Sequence, residues 1–153
     1  MTDKHWTTRV ADWNNPGDQA DIRHIREQVF INEQNVPVEL EWDELDKTSS
    51  HLLVTTRGKQ PVATARIHMP DGSPAAHIGR MSVLPGYRRQ GIASEMLSML
   101  IELAMENSCE SIELNAQTTA IPLYEKHGFR AVGEEFPDAG IPHYKMLYTV
   151  NRS

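Results

Sequence analysis

Arg80-Met81-Ser82-Val83-Leu84-Pro85-Gly86-Tyr87-Arg88-Arg89-Gln90-Gly91-Ile92-Ala93 reads as a strand, a turn and the start of a helix. The strand runs from His77 to Leu84, and Pro85-Gly86 breaks it. The helix spans Gly91 to Asn107, with Ile92, Met96, Leu97, Leu100, Leu103 and Ala104 on one face and Glu95, Glu102 and Glu106 off it. The first N–H groups of such a helix have no intrahelical acceptors, and the helix dipole makes them attractive to anions. Arg88 and Arg89 add formal charge, while Gly91 and Ala93 let a ligand approach the backbone closely. The combination predicts a pyrophosphate cradle over the amides from Arg89 through Gln90, Gly91, Ile92 and Ala93 to Ser94. It is neither a Walker A loop, lacking Gly-Lys-Ser/Thr, nor a dinucleotide fingerprint, lacking GxGxxG.

On the N-terminal side, Trp6 to Ala11 reads as a strand. Asp18 with Asp21 suggests a capping-box start, and Ile22, Ile25 and Val29 mark an amphipathic helix ending near Phe30. An irregular acidic segment with Val36-Pro37 follows. His51 to Arg57 and Val62 to Met69 form a predicted hairpin around Gly58-Lys59-Gln60-Pro61, and the turn Pro70 to Pro74 leads to the strand from His77. After the long helix come a strand at Ser111 to Ala116 and a helix at Thr118 to His127, stopped by Gly128. Two final strands, Phe129 to Phe136 and His143 to Val150, surround the turn Pro137-Asp138-Ala139-Gly140. The order predicts an α+β fold: a central mixed, mostly antiparallel sheet of about seven strands flanked by helices. At 153 residues one domain over 1–153 is the expectation.

Composition narrows the function classes. The chain is 39% hydrophobic and 24% charged, and no run approaches about 18 apolar residues, so no membrane span is expected. The start, Met1 to Trp6, carries no apolar stretch of the secretory kind. Cys109 is the one cysteine, and CxxC and HExxH are absent. The expectation is a cytoplasmic protein without disulfide or metal. A net charge of −6 disfavours nucleic-acid binding. The charges are also segregated. Gly72 to Ser94 holds no acid, whereas Asn32 to Asp46 holds no base and six acids: Glu33, Glu39, Glu41, Asp43, Glu44 and Asp46. One segment favours anions and the other cations, unless both are simply solvated.

The loop resembles the Arg/Gln-x-x-Gly-x-Gly/Ala motif of the GCN5-related N-acetyltransferases (GNAT), with Arg88, Gly91 and Ala93 in the fixed positions. A second block, Gln117-Thr118-Thr119-Ala120-Ile121-Pro122-Leu123-Tyr124-Glu125-Lys126-His127-Gly128-Phe129, resembles that family's Asn-x-x-Ala-x-x-x-Tyr-x-x-x-Gly-Phe. Gln117 stands where the family usually carries Asn. Arg26 to Pro37, Glu41-x-Asp43-x-x-Asp46 and Gly140-Ile141-Pro142-His143 are similar to the ElaA-like subgroup. Arg26, Phe30, Glu41, Asp43, Asp46 and Arg66 also resemble the pattern of acyl-homoserine lactone synthases, from which Val36 departs, lying near where those enzymes carry a tryptophan.

The GNAT resemblance implies acetyl transfer from acetyl-coenzyme A, as cosubstrate, to a small-molecule or peptide primary amine by direct attack. It implies that the pantetheine arm pairs with the backbone of Met81, Ser82 and Val83, that an amide there faces the thioester oxygen, that Gln117 lies at the cofactor, and that Tyr124 protonates the departing thiolate. The amine must lose a proton. Glu33, Glu41 and Asp43 are candidates to assist, the other reading being that they are structural partners of Arg26 and Arg66. His143 and His68 are further candidates, and Cys109 has no evident activating neighbour. Other classes compatible with parts of the sequence are a synthase-like acyltransferase, a non-catalytic acyl-coenzyme A-binding module and a partner-binding protein using residues 33–46. A monomer or homodimer is expected, with no nucleic-acid or membrane partner.

Overall fold

Among the described residues, seven strands lie in one sheet, in the order β1-β2-β3-β4-β5-β7-β6: β1 Trp6–Ala11, β2 Ser50–Thr56, β3 Pro61–His68, β4 Ala75–Val83, β5 Ser111–Gln117, β6 Arg130–Asp138 and β7 Ile141–Thr149. The α-helices are α1 Pro16–Arg26, α2 Val38–Glu41, α3 Ile92–Glu106 and α4 Ile121–Lys126. The computed structural model describes residues 5–150, so the start at residues 1–4 and the last three residues of the expected 1–153 domain lie outside the described residues. The β1–β2, β5–β7 and β6–β7 pairs are antiparallel and β4–β5 is parallel. The expected mixed α+β architecture is therefore observed. Among the described residues no helix is long and apolar enough to cross a membrane.

The chain divides into two compact units, residues 1–66 with 80–96 and residues 67–79 with 97–153. In the first, β1 pairs with β2 from Trp6↔Thr56 to Ala11↔His51. Ile22, Ile25 and Leu53 form a fully buried cluster against Ala11, Trp13 and Leu84. The expected start of α1 is corrected. Asn15, not Asp18, caps it: its side-chain oxygen accepts from the Gly17 and Asp18 amides at 2.9 and 3.1 Å, and Pro16 supplies the preset first helical position. Asp18 instead accepts both arms of Arg9 at 2.9 and 2.6 Å, joining α1 to β1. The helix does not simply end near Phe30 either. It passes into a π-helical stretch, Glu27–Glu33, and Asn35 with φ 58° closes it. The acidic segment is less irregular than its sequence suggests, folding into α2 and a 3-10 turn at Glu44–Lys47.

In the second unit, β4 pairs with β5 over Ala75–Ile78 and Ser111–Leu114. β5 pairs with β7 as far as Gln117↔His143. The final hairpin is tighter than its four-residue turn signal. Asp138 pairs with Ile141, leaving only Ala139 and Gly140 (φ 52° and 78°) between the strands. β6 lies at the end of the strand order, where Pro137 removes no needed donor. The helix expected over Thr118–His127 is split into a 3-10 turn, Thr118–Ala120, and α4.

Candidate active site

After β4 the chain makes a 3-10 turn at Pro85–Tyr87, and Arg88 is extended. Arg89 and Gly91 both take positive φ, 63° and 91°. The first intrahelical bond of α3 runs from the Glu95 amide to the Gly91 carbonyl at 3.0 Å, so the amides of Gly91, Ile92 and Ala93 precede the helical ladder. A Cβ built on Gly91 would find no atom within 4 Å, so the space over this turn is open. Arg89 and Gln90 are exposed beside it. A 15-residue helix with an open, positively biased first turn fits an anionic phosphate group. The Glu95 carboxylate is turned to β1, accepting from Trp6 Nε1 at 2.6 Å and Thr8 Oγ1 at 3.2 Å.

Arg88 is already engaged. Its Nη1 and Nη2 donate to the two Glu33 oxygens at 2.7 and 2.6 Å, and its Nε donates to the Val83 carbonyl at 2.8 Å. The guanidinium holds the Glu33 carboxyl below the usual carboxylate range. Glu33 also lines an open groove of about 580 Å³ with His24, Gln28, Asn32, Leu84 and Pro85. Sequence reasoning missed His24, Gln28 and Asn32. The available signal was their four-residue spacing, a polar stripe beside Ile22, Ile25 and Val29.

Three more acids of the segment, Glu41, Asp43 and Asp46, meet arginines from three other elements. Arg26, 0% exposed, donates through Nε to Glu41 Oε2 and through Nη1 to Asp46 Oδ1, both at 2.7 Å, and through Nη2 to the Glu41 carbonyl at 2.9 Å. Arg66 takes both Asp43 oxygens at 2.7 and 2.9 Å, and Asp46 Oδ1 at 2.8 Å. Arg80 lies 3.2 Å from Glu41 Oε2 and from Asp43 Oδ2. The Trp42 ring covers Arg26, whose guanidinium carbon is 4.9 Å from its centroid. Three guanidiniums thus face three carboxylates. Burial pushes the Glu41 carboxyl up despite Arg26 and Arg80. The Asp43 carboxyl is held low, chiefly by its hydrogen bonds from Arg66. The geometry brings Glu41 and Asp43 to Arg26, Arg66 and Arg80, and gives Glu41 only 3% exposure.

In the second unit Tyr124 sits on α4, 7% exposed, its ring edge-on to Phe129 at 6.0 Å between centroids. Burial pushes its phenol up to about 12, so the hydroxyl stays protonated across the neutral range. Gln117 ends β5, opposite His143 on β7. The His143 Nδ1 lies 2.6 Å from the Ile141 carbonyl, which assigns the proton to Nδ1 in the neutral ring, and the ring stacks on Phe136. Nδ1 of half-buried His68 is buried without a hydrogen-bond partner, and Cys109 is buried at 3% exposure. Ser82 is buried, with Met81 and Val83 half-buried on either side.

A family profile described as an acetyltransferase (GNAT) domain matches residues 17–150. The chain is 42% identical over 128 residues to the uncharacterized N-acetyltransferase YjcF of Bacillus subtilis, covering 83% of this chain and 89% of that one. Among solved structures, Escherichia coli ElaA superposes with a TM-score of 0.82 at 26% identity, covering 94% of this chain and 97% of the other. An acyl-CoA N-acyltransferase from Pseudomonas aeruginosa gives 0.82 at 26% identity, covering 94% and 98%. With the strand, left-handed turn and helix from Met81 to Ser94 in place, the chain belongs to the GNAT acetyltransferase family, and ElaA is among its structural neighbours.

Proposed function

We propose that this protein transfers the acetyl group of acetyl-coenzyme A to a primary amine by direct attack. The observation that carries the reading is the turn into α3. Positive φ at Gly91 leaves open space beside amides that precede the helical ladder. The pyrophosphate would lie on the amides from Arg89 to Ser94. The pantetheine arm would pair along Met81, Ser82 and Val83, one of whose amides would meet the developing oxyanion. Gln117 would contact the cofactor where the family usually uses Asn.

Of the acids considered for proton removal, Glu41 is enclosed by two guanidiniums and Asp43 is held by Arg66 and Arg80. Glu33 alone lines the groove. We assign the groove to the amine, whose ammonium form would donate to a remaining lone pair of the Arg88-paired Glu33 carboxylate. Because Arg88 keeps Glu33 acidic, the proton passes to water rather than resting on this carboxylate. Titration calorimetry with acetyl-coenzyme A, followed by a thiol-release assay over an amine panel, tests the reading. Binding without release with any amine would favour an acyl-coenzyme A-binding module. Absence of binding would remove the acetyltransferase reading.

Tyr124 would give its proton to the departing thiolate. Tyr124→Phe is expected to lower kcat by ~10²-fold, the lower end for a single general acid, with cofactor affinity unchanged. Wild-type turnover under rate-limiting chemistry would place the donor elsewhere. The same variant has a folding signature. The phenol titrates at about 12 in the fold against an ordinary 10.0, so the unfolded chain loses this proton first. The associated stability is complete below pH 10 and is lost as pH rises towards 12, by up to about 2–3 kcal/mol. Urea unfolding at pH 9 and 11 should show a smaller alkaline loss for Tyr124→Phe than for wild type.

A further inference from the structure

Arg80 sits inside β4 with φ 53°, in the left-handed region. An L-residue other than Gly, Asn or Asp pays roughly 1–2 kcal/mol there, and such a conformation persists only where the surroundings over-determine it. Here the side chain does so. Nη2 donates to the Glu41 carbonyl at 3.0 Å and to the Leu40 carbonyl at 3.3 Å, and Nε lies 3.2 Å from Glu41 Oε2. Leu40 and Glu41 end α2, where carbonyls lack intrahelical donors. Glu41 is in turn held by Arg26 of α1, and Asp43 by Arg66 of β3. The left-handed residue in β4 is therefore braced by its guanidinium directly against α2 and Asp43, and through Glu41 and Asp43 to Arg26 and Arg66, and the next residue is Met81.

We propose that Arg80 is a positioning residue for acyl transfer: its braced left-handed backbone sets the direction of the Met81–Val83 peptide groups. The inference rests on the reading of Met81–Val83 as the strand that meets the acyl-coenzyme A arm. A left-handed residue rotates the peptide planes that follow it, so releasing the brace lets the next amides turn. Misplacement of a reacting group by about 1 Å can cost ~10²-fold in rate. The open turn at Gly91, eleven positions further on, is held by its own helix and keeps its affinity.

Arg80→Gly separates the brace from the backbone requirement. Glycine accepts φ 53° freely, and without the guanidinium Glu41 keeps Arg26 while Asp43 keeps Arg66, so the fold is retained. The expected result is a fall in kcat of ~10–100-fold with acetyl-coenzyme A affinity within about threefold. Arg80→Lys, which keeps the charge but not the fork, should fall between it and wild type. Should Arg80→Gly fail to fold, Arg80→Lys alone carries the test. Amide hydrogen exchange without cofactor gives a readout independent of catalysis, expected to be at least tenfold faster at Met81–Val83 in Arg80→Gly and unchanged at Ile92–Ser94. Wild-type kcat in both folded variants, or unaltered exchange at Met81–Val83, overturns the proposal. Altered exchange in a protein whose wild type binds no acetyl-coenzyme A overturns the cofactor reading and, with it, the catalytic role, while leaving the brace as a structural fact.

Discussion

Gly91→Glu is expected to abolish acetyl-coenzyme A binding in a protein that still folds. The glycine occupies φ 91° in front of a 15-residue helix, with nothing within 4 Å of where a Cβ would stand. A side chain there meets no clash, so the folding cost is backbone strain of about 1–3 kcal/mol. The cost to the cofactor is larger. The carboxylate would stand over amides whose dipole favours one anion, occupying the pyrophosphate's place and repelling it. Affinity should fall by more than ~100-fold, or about 2.7 kcal/mol, which in calorimetry reads as loss of the binding heat. Gly91→Ala carries the strain without the charge and should weaken binding far less. A folded Gly91→Glu with wild-type affinity would sink the phosphate assignment.

The features that could be read in the sequence are those with a local physical period. The α3 face from Ile92 to Ala104 is buried apart from half-buried Leu103, as its 3.6-residue spacing requires. β1 has the predicted limits, because the break at Asp12 to Asn15 is itself local. Two features escaped because a competing local option won. Asp18 had the chemistry of a cap, but Pro16 starts the helix earlier and frees Asp18 for Arg9. The π-helical stretch after Arg26 leaves the Ile22, Ile25, Val29 spacing intact, so periodicity cannot reveal it. The largest gap concerns the acidic segment. Read alone, six carboxylates without a base describe a negative field for steering ammonium. In the fold Glu33 meets Arg88, 55 positions away, and Glu41 and Asp43 meet Arg80. Their neutralisation is a tertiary fact with no local trace. The other reading the sequence offers, that Glu33, Glu41 and Asp43 are structural partners of Arg26 and Arg66, holds for Glu41 with Arg26 and Asp43 with Arg66, whereas Glu33 takes Arg88. The groove's polar lining at His24, Gln28 and Asn32 was hidden for a related reason: polar residues flanking a buried face are what any surface helix shows.

Arg26→Met is expected to destabilise the protein by about 3–5 kcal/mol, the usual cost of removing one partner from a buried ion pair. For a chain of this size that lowers Tm by roughly 6–20 °C. Arg26 is fully buried and donates to Glu41, to Asp46 and to the Glu41 carbonyl. Methionine fills much of the volume under Trp42 but supplies none of these donors. Asp46 keeps Arg66, whereas Glu41 is left with Arg80 at 3.2 Å. The pH dependence gives the loss its identity. Burial already pushes the Glu41 carboxyl up while Arg26 opposes the shift, so removing Arg26 raises it further. A carboxyl whose folded pKa exceeds its unfolded value favours the fold below the unfolded pKa, and that contribution is lost as pH rises through the folded one. The penalty of Arg26→Met should therefore shrink as pH falls from neutrality towards the ordinary glutamate range, because Glu41 takes up a proton and the uncompensated charge disappears. Glu41→Gln should cost less than Arg26→Met at neutral pH, since an amide resembles the neutral carboxyl that burial prefers. Denaturant unfolding of both variants between pH 5 and 8 checks the ordering. A pH-independent penalty for Arg26→Met would mean that packing under Trp42, and not the charge left on Glu41, is what Arg26 contributes to the fold.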